Sequence, residues 1–211
     1  RGVDAEKFNP RYRSAEMRDH LSDGHPEDTL LLYVGRLSTE KQIDRLKYVL
    51  EAVPGTRLAL VGHGPAREEL EKHFEGTPTK FVGYLKGEPL SQAYASADMF
   101  VFPSSMETFG LVVVEAMAAG LPVVSSRVGG VRDVVHEGVT GYTFDVGDVP
   151  ALIDGVRQIA VSRERITSMG IAARRFAETQ SWDAMMDEVV DLYRDLIEKK
   201  RAVTIQPRET A

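Results

Sequence analysis

Between Thr29 and Phe144 the sequence repeats one unit: a short unbroken run of aliphatic or aromatic residues, then a helical segment. TLLLYV (29–34) is followed by QIDRLKYVLEAV, RLALV (57–61) by PAREELEKHF, and KFVGYL (80–85) by PLSQAYAS. DMFVFP (98–103) is followed by GLVVVEAMAAG, and LPVVSS (121–126) by the short GGVRDVV. GYTF at 141–144 reads as one more strand, and helices are expected near 148–161, 163–179 and 182–200. Strands that alternate with helices of this length imply βαβ units and a parallel sheet. The apolar runs do not alternate with polar residues, as expected when helices cover both sheet faces. The expected fold class is therefore α/β, a doubly wound parallel sheet.

A chain of 211 residues fits one domain with extensions. Residues 1–28 are polar and read as a leading linker, with one short helix around Ala15 to Leu21. The domain proper is expected over 29–200, closed by a helix whose Met185, Val189, Leu192, Tyr193 and Leu196 share one apolar face. Residues 201–211 read as a frayed tail. The chain opens on Arg1 rather than Met, and is expected to be a piece of something longer. A net charge of -6 argues against bulk attraction to nucleic acid, so no nucleic-acid partner is expected. The absence of cysteine removes disulfides, thiolate nucleophiles and Cys-ligated zinc. No run of about 18 apolar residues is present to span a bilayer.

In doubly wound sheets ligands bind beyond the carboxyl ends of the strands, so the loops there carry the functional signal. GRLSTEK follows the first strand and sets Arg36 and Lys41 on one loop. Two such cations can grip phosphate oxygens, a guanidinium through paired bonds and an ammonium as a point charge. The same pair could equally be solvated and bonded to an acid such as Glu40. Gly62 and Gly64 with Pro65 make a tight turn before a helix; a lone Gly-x-Gly is as well explained by turn geometry. Of the five histidines only His63 lies in a ligand-facing loop, and no metal-ligand spacing is found. No Asp-x-Asp pair occurs, so no metal clamp and no cofactor are expected.

The segment METFGLVVVEAMAAG is the sharpest signal. Its helix, expected over 110–119, is apolar on every side and so should be buried, with Glu115 its only charge. An unpaired buried carboxylate costs several kcal/mol, so Glu115 must find donors. No basic residue stands within one turn of it, and two adjacent hydroxyls of a ribose would serve. Glu107 lies in the loop just before the helix. Between the two acids, the amides of Thr108, Phe109, Gly110 and Leu111 form the positive end of the helix dipole, a place for an anion. The pattern predicts a three-part ligand: a hydroxylated group on Glu107, phosphates on the amides, and a ribose on Glu115.

Taken in order, GRLSTEK, VGHGP, FVGYL, ETFGLVVVE, EAMAAGLPVV and GGVRDVV resemble the nucleotide-binding half of the retaining glycosyltransferases of family four. The resemblance runs from Arg1 to about Lys200, and it implies the GT-B architecture of two facing Rossmann-like halves. It implies that Arg36 and Lys41 bind the donor diphosphate and that Glu107 holds hydroxyls of the donor sugar, these three being the catalytic candidates. Gly35 and the amides of Thr108, Phe109, Gly110 and Leu111 would meet phosphate and sugar, Glu115 the ribose, and the backbone near Leu85 the base. RGVDAEKFNPRYRSAEMRDHLSDG, GPAREELEKHFEG and GEPLSQAYASAD are similar to the sulfolipid-synthesising branch of that family, which moves sulfoquinovose from UDP-sulfoquinovose to diacylglycerol.

That resemblance implies a UDP-sugar donor, and a lipid acceptor bound by an N-terminal half that this chain lacks. It further implies retention of anomeric configuration by front-face displacement, and a chloroplast membrane surface or the cytoplasmic face of a cyanobacterial membrane as the location. Such a fragment would bind donor without turning over. Lys199, Lys200 and Arg201 could make peripheral membrane contact, or simply be cations at a helix end. The alternatives are a lipid or polysaccharide glucosyl- or mannosyltransferase using a UDP- or GDP-sugar, a UDP-sugar 2-epimerase, and a non-catalytic nucleotide-sugar module.

Overall fold

The computed structural model describes residues 2–180 and 182–204. Its strands are β1 (Thr29–Val34), β2 (Thr56–Val61), β3 (Thr79–Gly83), β4 (Met99–Phe102), β5 (Val123–Ser126) and β6 (Gly141–Phe144). They form one parallel sheet in the order β3-β2-β1-β4-β5-β6. The expected doubly wound, Rossmann-like α/β fold is what the chain adopts. The connecting helices are α1 (Ala15–Leu21), α2 (Leu46–Ala52), α3 (Arg67–His73), α4 (Glu88–Ser96) and α5 (Leu111–Ala118). After the sheet come α6 (Val149–Ala160), α7 (Arg163–Thr179) and α8 (Trp182–Thr204). Helices pack in pairs, α2 on α6, α1 on α4 and α5 on α7.

The unbroken apolar runs become central strands: Leu30, Leu31, Leu32 and Tyr33 of β1 are wholly buried, as are Met99 to Val101 of β4. β3 differs, being half-buried along its whole length, because an edge strand has a neighbour on one side only. GGVRDVV forms a 3-10 turn over Gly129–Asp133 rather than a regular helix. After β3 the chain crosses β2 and β1 to reach β4, so the connections leaving β1 and β4 part in opposite directions and open a crevice. Two hydrogen bonds hold its sides together: the Ser105 amide and hydroxyl both donate to the Glu40 carbonyl, each at 2.8 Å.

Residues 2–28 do more than lead in, which corrects the linker reading. Val3, Phe8 and Leu21 belong to the core, and the Phe8 ring stands edge-on to Tyr94 at 5.4 Å. Arg18 is buried and saturated. It donates to the carbonyls of Pro26, Ser96 and Asp28 and, at 2.8 Å, to the Asp98 carboxylate. At the other end, α8 continues to Thr204, past the expected start of the tail, and 205–211 lie outside the described residues. Val189, Leu192, Tyr193 and Leu196 of its expected apolar face stay exposed, while the Met185 side chain lies outside those described.

Asp98 ties these parts together. One carboxylate oxygen accepts from Arg18 and from the Leu30 amide, each at 2.8 Å, and the other pairs with Arg163 at 2.9 Å. Burial alone would raise this carboxyl; the Arg18 bond, the Leu30 amide and the two arginine charges outweigh burial and leave it below the ordinary value. A depressed carboxyl contributes stability above its unfolded pKa of about 3.9 and loses it as pH falls through the folded value. Asp98→Asn is therefore expected to cost about 3–5 kcal/mol in urea unfolding at neutral pH, since it leaves the buried Arg18 charge without its carboxylate. The variant should also lose less stability than the parent on acidification.

Candidate functional site

A cavity of about 440 Å³ lies at the carboxyl ends of β1, β2 and β3, within the size range of small-ligand sites. Gly35 and Arg36 reach it from the loop after β1, Gly62 and His63 from the loop after β2, and Leu85 from the loop after β3. Val112 and Glu115 face it from α5, and Lys7 from the leading segment. Thus Gly35, Arg36, Leu85 and Glu115, which are widely separated in sequence, meet at one place.

Glycines allow the walls to close this tightly. A Cβ on Gly62 would be driven into the Gly35 carbonyl, and one on Gly64 into the Leu37 backbone. Both positions therefore serve backbone-to-backbone packing of the first two loops, joined by a hydrogen bond from the Leu37 amide to the His63 carbonyl at 3.0 Å. His63 itself is exposed, and its Nδ1 lies 3.1 Å from the Gly64 amide as acceptor. On the β1 side the buried Tyr33 hydroxyl donates to the Arg36 carbonyl at 2.9 Å, which fixes the backbone that carries the guanidinium. Arg36 is exposed at the cavity, and Glu40 is engaged by Ser38 at 2.5 Å rather than by either cation of its loop.

Glu115 departs from the sequence expectation in one respect. Its Oε2 accepts from the Tyr94 hydroxyl at 3.0 Å, so a protein donor outside its own helix is present. Burial pushes the Glu115 carboxyl up, against the opposing pull of that hydrogen bond and of the Lys7 charge. The second oxygen, Oε1, has no protein donor among the described residues. The helix is also less enclosed than its composition predicts. Leu111 is 44% exposed and Val112 half-buried, because the first turn of α5 opens onto the crevice.

Glu107 and Lys41 are not among the residues lining this cavity, nor are Thr108, Phe109, Gly110 and Leu111; Glu107 lies just before α5, whose Val112 and Glu115 do line it. Here the amides of Thr108 and Gly110 are not vacant, as the sequence reading had them, but donate to Glu107 Oε1 at 3.1 and 3.3 Å. Glu107 Oε2 pairs with Lys41 Nζ at 3.2 Å, and that ammonium also donates to the Met106 carbonyl and sits 5.2 Å from the Phe102 ring centre. Partial burial would raise the Glu107 carboxyl; the Gly110 amide, Lys41 and the Phe109 amide outweigh it and hold it below the ordinary glutamate value. The side chain thus acts as an internal anion on the very donors expected to receive phosphate. Phe109 is 56% exposed beside it, and Gly110 caps the helix at φ 70°, a left-handed conformation that glycine adopts without strain.

Several contributors were invisible in the sequence. Lys7 lies in what reads as linker, Tyr94 in the helical segment PLSQAYAS that carried no functional signal, and the exposed Tyr84 at the cavity rim next to Leu85. Gly129 belongs here too: it carries a φ of 47°, and a Cβ on it would strike the Glu107 carbonyl, so the 3-10 turn buttresses the Glu107 loop. The doubled glycine of GGVRDVV was the available sign of so close a backbone approach.

Residues 18–176 match the family described as glycosyl transferases group 1. The chain is 48% identical over 192 residues to the sulfoquinovosyl transferase SQD2 of Arabidopsis thaliana, covering 90% of this chain and 38% of that protein. It is 39% identical over 203 residues to a GDP-mannose-dependent alpha-mannosyltransferase of Mycolicibacterium smegmatis, covering 95% and 52%. Among solved structures, sucrose-phosphate synthase of Thermosynechococcus elongatus superposes with a TM-score of 0.78 at 30% identity, covering 94% of this chain and 52% of that one. Anabaena HepE in complex with UDP-glucose shares the fold, with a TM-score of 0.78 at 23% identity over 92% and 56%. The chain thus spans about half or less of the relatives it matches.

Gly129→Ala is expected to lose about 1–3 kcal/mol, through left-handed strain and the collision with the Glu107 backbone. Denaturant unfolding measures the loss, and amide shifts of Thr108 to Gly110 should report the displaced loop. A variant with unaltered shifts there would show that the turn does not support Glu107.

Proposed function

Because the chain belongs to the glycosyl transferases group 1 family, we propose that it is the donor-binding part of a retaining sulfoquinovosyltransferase, which transfers sulfoquinovose from UDP-sulfoquinovose to diacylglycerol. The observation that carries the donor-binding reading is the shared wall of the crevice. A half-buried carboxylate with one unclaimed oxygen and the exposed Arg36 line the cavity, and Lys41 is paired with Glu107 just before the helix that carries that carboxylate. In this reading the uracil rests against the backbone near Leu85, and Glu115 Oε1 accepts from ribose hydroxyls. The diphosphate lies at Gly110 and Leu111 between Arg36 and Lys41, and the sugar reaches Glu107. The 48% identity to a sulfoquinovosyl transferase supports the choice of sugar. The identity to GDP-mannose-dependent enzymes supports mannosyl transfer as the second reading.

The difficult step is departure of the nucleoside diphosphate, which gathers negative charge as the glycosidic carbon–oxygen bond breaks. Arg36, Lys41 and the amides at the start of α5 are charges and dipoles that can meet that developing charge, and such groups lower the barrier once they face it. Glu107 has to leave these donors when phosphate arrives, and its released carboxylate then turns to the sugar hydroxyls. Acceptor binding falls to the remainder of the longer chain, and a lipid acceptor would bring the reaction to a chloroplast or cyanobacterial membrane surface.

Calorimetry with UDP and GDP tests the donor class: UDP should bind more tightly, and preference for GDP would favour the mannosyl reading. UDP affinity should fall with pH as Glu115 gains its proton, above the range of an ordinary glutamate because its pKa is raised, and Glu115→Gln should abolish this dependence.

In the full-length enzyme, Lys41→Ala should reduce kcat by about 100-fold or more, as expected when a group that stabilises the leaving charge is removed. Unchanged turnover would refute that role. Glu107→Gln should tighten UDP while lowering kcat, because it frees amides and ammonium that the carboxylate holds.

A further inference from the structure

A second cavity, of about 690 Å³, lies at the opposite edge of the sheet. Ala97 and Asp98, which precede β4, and Gly120 and Leu121, which precede β5, line it, so it belongs to the amino ends of the strands. Five arginines reach it, Arg13, Arg18, Arg163, Arg174 and Arg175, against only two acids, Glu27 and Asp98. On a chain whose net charge is -6 this is a local reversal of sign.

Three of the arginines are committed to the fold. Arg18 is saturated by carbonyls and Asp98, and Arg174 donates to the carbonyls of Ala5, Phe8 and Ala118. Arg163 pairs with Asp98 at 2.9 Å and donates to the Glu27 carbonyl, while half its side chain remains exposed. Arg13 and Arg175 are different. Both are exposed, and neither guanidinium has a hydrogen-bond or ion-pair partner among the described residues. Both guanidiniums line one cavity without a protein anion on them, and each can offer paired N–H bonds to an anion bound there. The rest of the wall is mostly apolar, with Pro10, Leu121 and Ile166, and with Ile171 51% exposed, and Thr167 adds one hydroxyl.

We propose that this cavity binds an organic phosphate or sulfonate anion carried on an apolar stem. Arg13 and Arg175 hold the anion, the exposed edge of Arg163 adds a third donor group, and the stem lies along Ile166 and Ile171. The site is separate from the carboxyl-end crevice and does not depend on the donor reading. Its volume lies within the range of small-ligand sites.

Calorimetry on the full-length protein, with excess UDP present and without it, tests the site. The probes are inorganic phosphate, glycerol phosphate, dihexanoyl phosphatidylglycerol, and neutral dihexanoylglycerol as control. An anionic probe should bind regardless of UDP, and Arg13→Gln with Arg175→Gln should weaken it by about tenfold or more. The melting temperature and UDP binding should be unchanged in that double variant, since both side chains are exposed and unpartnered. Tighter binding of the phospholipid than of glycerol phosphate identifies a lipid headgroup, whereas tighter binding of glycerol phosphate or inorganic phosphate than of the phospholipid overturns the apolar stem and with it the proposal. Binding of neutral dihexanoylglycerol equal to that of the anions overturns the proposal. So does an affinity that the double variant leaves intact, or the failure of every anionic probe to bind.

Discussion

All six strands run in one direction, and that single constraint organises the molecule. Parallel neighbours cannot be joined by tight turns, so each connection must cross the sheet, here through helices that cover its faces. Every loop that leaves a strand therefore emerges at one edge, and every loop that enters a strand lies at the other. Because β1 is flanked by β2 and β4, the loops leaving β1 and β4 diverge and a crevice opens between them. Arg36 meets Glu115 at the cavity, and Lys41 meets Glu107, because these residues occupy those two loops and the helix that one of them feeds.

Three carboxylates outside bulk solvent differ in how completely their surroundings hold them. Asp98 is saturated, with two arginines and an amide, and its carboxyl is depressed despite burial. It locks the leading segment to the sheet. Glu107 is also depressed, but its donors are a helix start and one ammonium, groups that any arriving anion would claim. Glu115 has a single hydroxyl on one oxygen, and burial dominates, so its carboxyl is raised. An acid held so incompletely is the one with bonding capacity to offer a ligand.

Much of this architecture was legible beforehand, for identifiable reasons. Unbroken runs such as TLLLYV and MFVF, short and alternating with helical segments, read as strands buried on both faces, and they are so placed. The apolar helix carrying Glu115, and the loop carrying Glu107, were correctly seen as neighbours because they are neighbours in sequence. Lys7, Tyr94 and the Lys41–Glu107 pair were not legible, since each depends on a contact between segments far apart in the chain. The leading segment was misread for the same reason: its polar composition hides Phe8 and Leu21, which find their partners only once α4 and β4 are in place.

The sequence alone determined the parallel α/β fold and which residues stand in the loops at the carboxyl ends of the strands, because apolar runs and loop position are local properties of the chain. The tertiary structure alone decided what those residues hold in the folded chain. Hydrogen bonds and ion pairs act over a few ångströms in space, not along the sequence. Folding thus laid Glu107 on Lys41 and on the amides of the next helix, and it left one oxygen of Glu115 open to the cavity.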